Sequence, residues 1–341
     1  MYIKKLLVII ALLGLVGCSI FAYYIYNAIF VPNTAFENEK ATLFIASDAS
    51  FSEVVDDLTP LLKDVETFVT VANKKKYAAN IKPGKYEIVK GMNNNDIINS
   101  LRVNNIPVRV SFNNQESLES LAGRISTQIE ADSVSLLNAF AEKKFLDENR
   151  FNKNTALGMY VANSYEFFWN TDSKEFRARM LKEYNRFWSE SRVAKAKKIG
   201  LTQNQVISLA AIVQKETVKI DERPRVAGVY VNRIKKRMLL QADPTVVYAV
   251  KKTTGVQLKR VLFEHLKINS KYNTYMYAGV PPGPITMPDV SAIDAVLNYE
   301  KHQYYYFVAN IKKMGYHQFA KTLAQHNNNA VAYRNWVAKR H

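Results

Sequence analysis

The sequence predicts an α+β protein behind an N-terminal transmembrane helix, and three observations predict it. An unbroken apolar run fills residues 6 to 30, longer than the ~20 residues with which a helix crosses a bilayer. Beyond it, runs alternating with period two are interleaved with runs of helical spacing, the mark of a mixed fold. Two amphipathic helical stretches between Val206 and Met238 are followed farther on by Tyr304 to Asn310 and Tyr316 to Thr322, which read as a β-hairpin with Gly315 near its turn. The expected division is a short tail over 1–5, the transmembrane helix over 6–30, an α+β region over 31–130, and a mixed helix and β-hairpin domain over 131–341.

The 341 residues suffice for two folded units after the anchor, and 48% hydrophobic with 23% charged residues describes a globular chain. The one cysteine, Cys18, excludes an intrachain disulfide and a cysteine metal cluster. A net charge of +17 implies an acidic partner, whether nucleic acid, lipid surface or anionic polymer.

Topology narrows that choice. Lys4 and Lys5 precede the apolar run, and Glu37 and Glu39 follow it. The positive-inside rule then puts the N-terminus in the cytoplasm and the remainder outside, with Tyr23, Tyr24 and Tyr26 at the interface. Two other readings stay open: a cleaved signal peptide, and a lipidated Cys18, since Leu15-Val16-Gly17-Cys18 resembles a bacterial lipoprotein box. All three put the bulk of the chain outside the cytoplasm, which argues against a nucleic-acid partner.

In the α+β region, Thr42 to Ala46 reads as a strand and Ser50 to Leu62 as a helix capped by Ser50. Phe68 to Val71 is a short apolar run. Lys85 to Val89 reads as a strand after the Pro83-Gly84 turn, Met92 to Leu101 as a helix, Pro107 to Phe112 as a strand and Ser117 to Ile129 as a helix. The segment from Gly84 to Asn105 resembles a LysM-like module, placed at about 80–130, and the resemblance implies binding of N-acetylated glycans. A small packing domain without a ligand reads equally well. Farther on, Val134 to Phe145 reads as a helix and Asn163 to Trp169 as an aromatic cluster holding Glu166. Lys174 to Lys198 reads as a basic helical stretch with Phe176, Met180, Tyr184, Phe187 and Trp188 on its apolar stripe.

The chemistry concentrates between Leu209 and Tyr248. Thr202 and Gln205 make a capping box, and Val206, Leu209 and Val213 recur at helical spacing. Glu216 follows three residues later on that stripe. A carboxyl there is partly desolvated, which raises its pKa and suits it to act as a general acid near neutral pH. A solvent-facing glutamate at a helix end is the alternative. A second amphipathic helix, Val226 to Met238, with Val226, Val229, Tyr230 and Ile234 on one stripe, follows, and then Gln241-Ala242-Asp243-Pro244-Thr245, in which Pro244 is expected to force Asp243 out of helical geometry.

These residues carry a resemblance. Ile212 to Thr217, Val231-Asn232-Arg233, Leu240 to Val246, Tyr272 to Tyr275 and Gly279 to Ile285 stand in the order found in the endolytic murein transglycosylases, the YceG-like proteins of the bacterial inner membrane. Tyr306 to Ala309, His317-Gln318-Phe319 and His326-Asn327 continue the match. Gln214, Ala242 and Gln325 depart from the family's usual residues. The resemblance implies a catalytic domain over 131–341 that cleaves peptidoglycan between N-acetylmuramic acid and N-acetylglucosamine, leaving a 1,6-anhydro end. It implies Glu216 as the catalytic acid and an association with peptidoglycan synthases.

Supporting roles are expected for other polar positions. Asn232, Gln241 and Asn273 offer amides to acetamido or hydroxyl groups. Arg233 offers a cation to a lactyl or stem-peptide carboxylate, and Tyr272 and Tyr275 offer rings to sugars. Asp243 either orients one of these or caps the next helix. Each also has a purely structural reading. His317 is expected to wall the cleft or hydrogen-bond within it. No phosphate loop, nucleophile elbow or metal-ligand spacing is present, so no cofactor or metal is expected. Two other functions stay open: a hydrolytic muramidase with Asp243 or Glu166 as its second carboxylate, and a non-catalytic peptidoglycan-binding scaffold.

Overall fold

A computed structural model of the chain describes residues 2–340. It divides into two compact units, Met1–Val110 with Thr127–Ala131 and Glu166–Asp172, and Ser111–Ser126 with Asp132–Tyr165 and Ser173–His341.

The first unit begins with helix α1 (Tyr2–Phe30). Its mean hydropathy of 2.6 and its unburied apolar surface make it a candidate membrane span. Cys18 lies exposed within it. The end of α1 is tied into the unit: Ala28 joins the hydrophobic core, and Asn94 Nδ2 donates to the Ala28 carbonyl at 2.7 Å. That bond satisfies one of the last carbonyls of the helix, which has no partner within the helix. Strand β1 (Lys40–Ile45), helix α2 (Phe51–Leu58), helix α3 (Val65–Lys74), strand β2 (Gly84–Val89), helix α4 (Asn94–Val103) and strand β3 (Pro107–Phe112) follow. β1 and β2 pair antiparallel with Leu43 opposite Tyr86. Their alternate residues face a core that includes Val54, Leu58, Phe68, Ile97 and Leu101.

Two expectations change here. The helix expected over 50–62 ends at Leu58, and a 3₁₀ turn containing Pro60 continues to Leu61, because proline cannot supply the next helical N–H. Phe68 to Val71 lies inside α3. The strand, turn and helix read from Gly84 onward are present as β2, the Gly91 turn and α4, which Asn93 caps.

In the second unit, helix α5 (Leu118–Ser126) is shorter than expected. The single helix read over 134–145 is two, α6 (Ser133–Ala141) and α7 (Lys143–Glu148). Glu142 between them leaves helical geometry (ψ 113°) and pairs with the buried Arg177. Strand β4 (Asn163–Phe168), whose residues from Glu166 onward belong to the first unit, pairs with β3, whose last two residues belong to the second. The basic stretch over 174–198 also divides, into α8 (Ser173–Phe187) and α9 (Glu190–Ile199). Trp188 is buried at the break, and Ser189 is extended.

Helix α10 (Gln203–Glu216) is the axis of this unit. The capping box of Thr202 and Gln205 is formed in both directions, at 3.3 and 2.9 Å. Val206 to Val213 are all buried, so the helix is enclosed on every side rather than on one stripe. Around it pack α9, helix α11 (Arg223–Lys235), helix α12 (Asp243–Thr254) and helix α13 (Val290–Leu297). Asp243 corrects the expectation made of it, because it is the first residue of α12. Pro244 sits in the opening turn, where the missing N–H has no helical partner to lose, and Ala242 is the extended residue. Strands β5 (Tyr306–Ala309) and β6 (His317–Ala320) pair antiparallel, with Ala309 opposite His317. Helix α14 (Leu323–Ala338), capped by Thr322, ends the unit and buries no residue.

Candidate active site

The site is built where three helices of the second unit meet: the end of α10, the inner face of α11 and the start of α12. Glu216 is the last residue of α10 and is half-buried. Tyr230 of α11 donates its hydroxyl to Glu216 Oε1 at 2.7 Å. Burial pushes the Glu216 carboxyl up to about 7; the Tyr230 hydrogen bond opposes that rise, Asp243 adds to it, and Arg233 opposes it. Tyr230 holds its own proton firmly, because burial and the neighbouring carboxylate push its pKa well above the usual phenol value.

Glu216 and Asp243 line two adjoining hollows. The larger, about 700 Å³, lies against Pro244, Val247 and Tyr248 of α12 and the loop carrying Lys259 and Arg260. The smaller, about 290 Å³, is walled by Tyr230, Arg233, Gln241, Tyr275, Tyr306 and His326. A third hollow, about 480 Å³, shares Glu116, Tyr248 and Lys251 with the first and adds Tyr272 and Lys252. The three make one trough, with Glu216 and Asp243 at the seam between its small end and its large one.

The residues singled out from the sequence separate into those that face the trough and those that hold it together. Asp243 faces the seam and accepts a hydrogen bond from Tyr275 Oη at 2.6 Å. Gln241 is exposed at the smaller hollow with φ 49°, a left-handed backbone that non-glycine residues rarely adopt. Tyr272 lines the far hollow, its ring 4.7 Å from that of Tyr248 and its face 4.5 Å from Lys252 Nζ.

Arg233 touches the smaller hollow, but its Nε and Nη1 donate to the protein. Nε donates to Tyr305 O and Nη1 to Leu240 O, both at 2.7 Å. The two asparagines lie outside the three hollows. Asn232 Nδ2 donates to the carbonyls of His302 (2.8 Å) and Tyr304 (3.1 Å). Asn273 is fully buried, donating to Leu266 O and Ile268 O at 2.9 Å each. Both amides satisfy loop carbonyls that would otherwise be unpaired.

Thr274 pins the turn that presents Gln241 and Asp243. Its carbonyl accepts from Gln241 N at 3.1 Å, and its hydroxyl accepts from Ala242 N at 3.0 Å and lies 2.8 Å from Thr245 Oγ1. His317 is hydrogen-bonded rather than free: Nδ1 lies 2.9 Å from Glu222 Oε2, and its backbone N donates to Glu222 Oε1 at 2.7 Å. The same buried carboxylate accepts from the Thr217 hydroxyl at 3.0 Å, next in sequence to Glu216. Glu166 is exposed in the first unit. Tyr230, read from the sequence only as part of an apolar stripe, is the partner that sequence reasoning missed, together with the buried Glu222.

Comparison with known proteins bears on most of the chain. An endolytic murein transglycosylase of Bacillus subtilis is 29% identical over 271 residues, spanning 74% of this chain and 73% of that protein. An endolytic murein transglycosylase of Streptococcus pneumoniae is 32% identical over 137 residues, 40% of this chain but 25% of that protein. The crystal structure of a YceG-like protein from Listeria monocytogenes matches with a TM-score of 0.57 at 26% identity, over 86% of this chain and 99% of that one. The model of the YceG-like family matches residues 43–332. That span takes in most of both units and every wall of the trough, and the chain belongs to the YceG-like family.

Proposed function

We propose that this chain is a membrane-anchored endolytic murein transglycosylase and that Glu216 is its catalytic acid and base. The observation that carries the proposal is a carboxyl with a pKa pushed up to about 7 at the seam of an extended trough. Such a group is protonated often enough near neutral pH to act as an acid, and ionised often enough to act as a base. The names of the Bacillus and Streptococcus relatives support murein as the substrate.

In this reading the glycan lies along the trough, with the bond between N-acetylmuramic acid and N-acetylglucosamine over Glu216. The carboxylic acid gives its proton to the glycosidic oxygen as the bond from that oxygen to the muramyl anomeric carbon breaks. The 6-hydroxyl of the same muramyl residue then attacks that carbon and passes its proton to the carboxylate. The product is a 1,6-anhydro end, no water is consumed, and Glu216 is returned to its starting state. The nucleophile belongs to the substrate, so proximity supplies what a second enzyme carboxylate supplies in a hydrolase. Tyr230 steadies the ionised form of Glu216 between the two proton transfers.

Asp243 favours a second reading, hydrolysis, because it shares the seam with Glu216 and offers a second carboxylate. Digestion of peptidoglycan by the full chain in detergent, followed by mass spectrometry, separates the two. Internal fragments with anhydro ends, one water lighter than reducing ends and absent with Glu216→Gln, are expected. Reducing ends would replace the transglycosylase with a muramidase. No cleavage by a folded wild-type protein, with strands still bound, would leave a scaffold.

The remaining assignments follow from this reading. The second unit carries catalysis, Gln241 and Tyr275 contact sugar beside Glu216, and Tyr272 does so at the far end. The LysM-like segment of the first unit holds glycan. α1 spans the bacterial inner membrane with the tail over 1–5 in the cytoplasm, and peptidoglycan synthases are the partners the family resemblance suggests.

A further inference from the structure

The large end of the trough carries many cations, and they are not equivalent. Lys215 and Lys251 are both bound to Glu116, at 2.8 and 2.7 Å, so each has a carboxylate partner within the protein, although the trio keeps one net positive charge. Lys259 and Arg260 line the same hollow, are exposed, and make no ion pair or hydrogen bond among the described residues. They are adjacent in the loop after α12, on the wall facing a ligand that extends from Glu216 past Tyr248. Arg233, the cation that the sequence suggested for a carboxylate of the substrate, donates instead to backbone carbonyls. A carboxylate reaching the large hollow therefore meets Lys259 and Arg260 as its unengaged partners. Guanidinium adds a planar fork that matches a carboxylate with two parallel hydrogen bonds.

We propose that Lys259 and Arg260 form a binding site for the carboxylates of the peptide stems, so that the charge of the stems, as well as the sugar backbone, selects which strands enter the trough. The proposal rests on the reading of the substrate as a murein strand. It assigns recognition to a loop outside the catalytic seam, and it divides the labour along the trough: sugar at the small end, peptide at the large one.

Binding tests it apart from cleavage. The full chain carrying Glu216→Gln, in detergent, is titrated with uncrosslinked murein strands bearing native stems and with the same strands after conversion of the stem carboxylates to methylamides. Native strands should bind more tightly, on the order of 10-fold for two exposed charge pairs. Added Lys259→Ala and Arg260→Ala should bring the ratio close to one. Lys259→Arg with Arg260→Lys should keep it, and Lys259→Glu with Arg260→Glu should invert it. Raised salt should compress it, because exposed charges are screened. Lys312→Ala, a cation outside the trough, should leave it unchanged. A ratio near one in the parent, or a ratio that survives the alanine pair, overturns the proposal. Failure of the wild-type chain to cut strands that still show the ratio would overturn the proposed reaction and leave this site standing.

Discussion

The Tyr230 hydroxyl lies 2.7 Å from Glu216 Oε1, and it joins two helices across 14 residues of sequence. The phenol donates, so it favours the ionised carboxylate and holds the Glu216 pKa below the value that burial alone would set. Tyr230→Phe removes that donor. The alkaline limb of the pH–rate profile, which reports loss of the acid's proton, should move upward by about one unit. A limb that stays or falls would mean that the hydroxyl does not serve this carboxyl.

Asp243 acts with the opposite sign. Its negative charge disfavours ionisation of Glu216 and raises the pKa. Asp243→Asn keeps an acceptor for Tyr275 while removing the charge, so the same limb should move downward, by less than about one unit. The two substitutions shifting the limb in opposite directions would tie it to Glu216 itself.

A carboxyl whose folded pKa lies above its unfolded one weakens the fold as pH rises. Glu216 goes from an ordinary 4.5 to about 7, so its share of stability is intact below 4.5 and is lost as pH climbs through about 7. Glu216→Gln, which cannot ionise, should therefore unfold at higher denaturant than the wild type above neutrality, by on the order of 3 kcal/mol at most. The difference should close in acid. Chemical denaturation at several pH values reads it directly, and equal stabilities throughout would contradict the desolvated acid.

Glu222 is expected to matter for folding rather than for turnover chemistry. Its buried carboxylate gathers the Thr217 hydroxyl, the His317 ring and the His317 backbone N–H. Glu222→Ala leaves these groups unpaired in the interior and should cost about 1–3 kcal/mol or more in unfolding free energy. A loss below about half a kcal/mol would mean that water replaces the carboxylate without penalty.

Legibility differed by the range of the interaction. Thr202 and Gln205 announce the start of α10, because a capping box is local, and β3 falls on the residues its alternation marks. Glu216 could be singled out because it continues the helical spacing of Val206, Leu209 and Val213, although the helix is buried on every side up to Val213. Partners set by tertiary packing were hidden. Tyr230 looks like any member of an apolar stripe until α11 is laid against α10. Asn232 and Asn273 look like ligand-binding amides because the loop carbonyls they satisfy belong to residues with no pattern of their own. The breaks at Glu142 and Trp188 interrupt runs whose composition stays helical on both sides. Lys259 and Arg260 lie in an aperiodic loop, and only the trough gives them a direction.

α14 adds a consequence in time rather than in space. It gives Leu323 and His326 to the smaller hollow, yet it buries no residue of its own. The opposite wall hangs on the buried Thr245 and Thr274 hydroxyls, which are enclosed by protein. Segments with little buried surface open with the smallest free energy. In deuterated solvent the amides of α14 should exchange well before those of α10, and strand binding should slow the former while leaving the latter unchanged. One side of the proposed acid would then be a fixed jaw and the other a door.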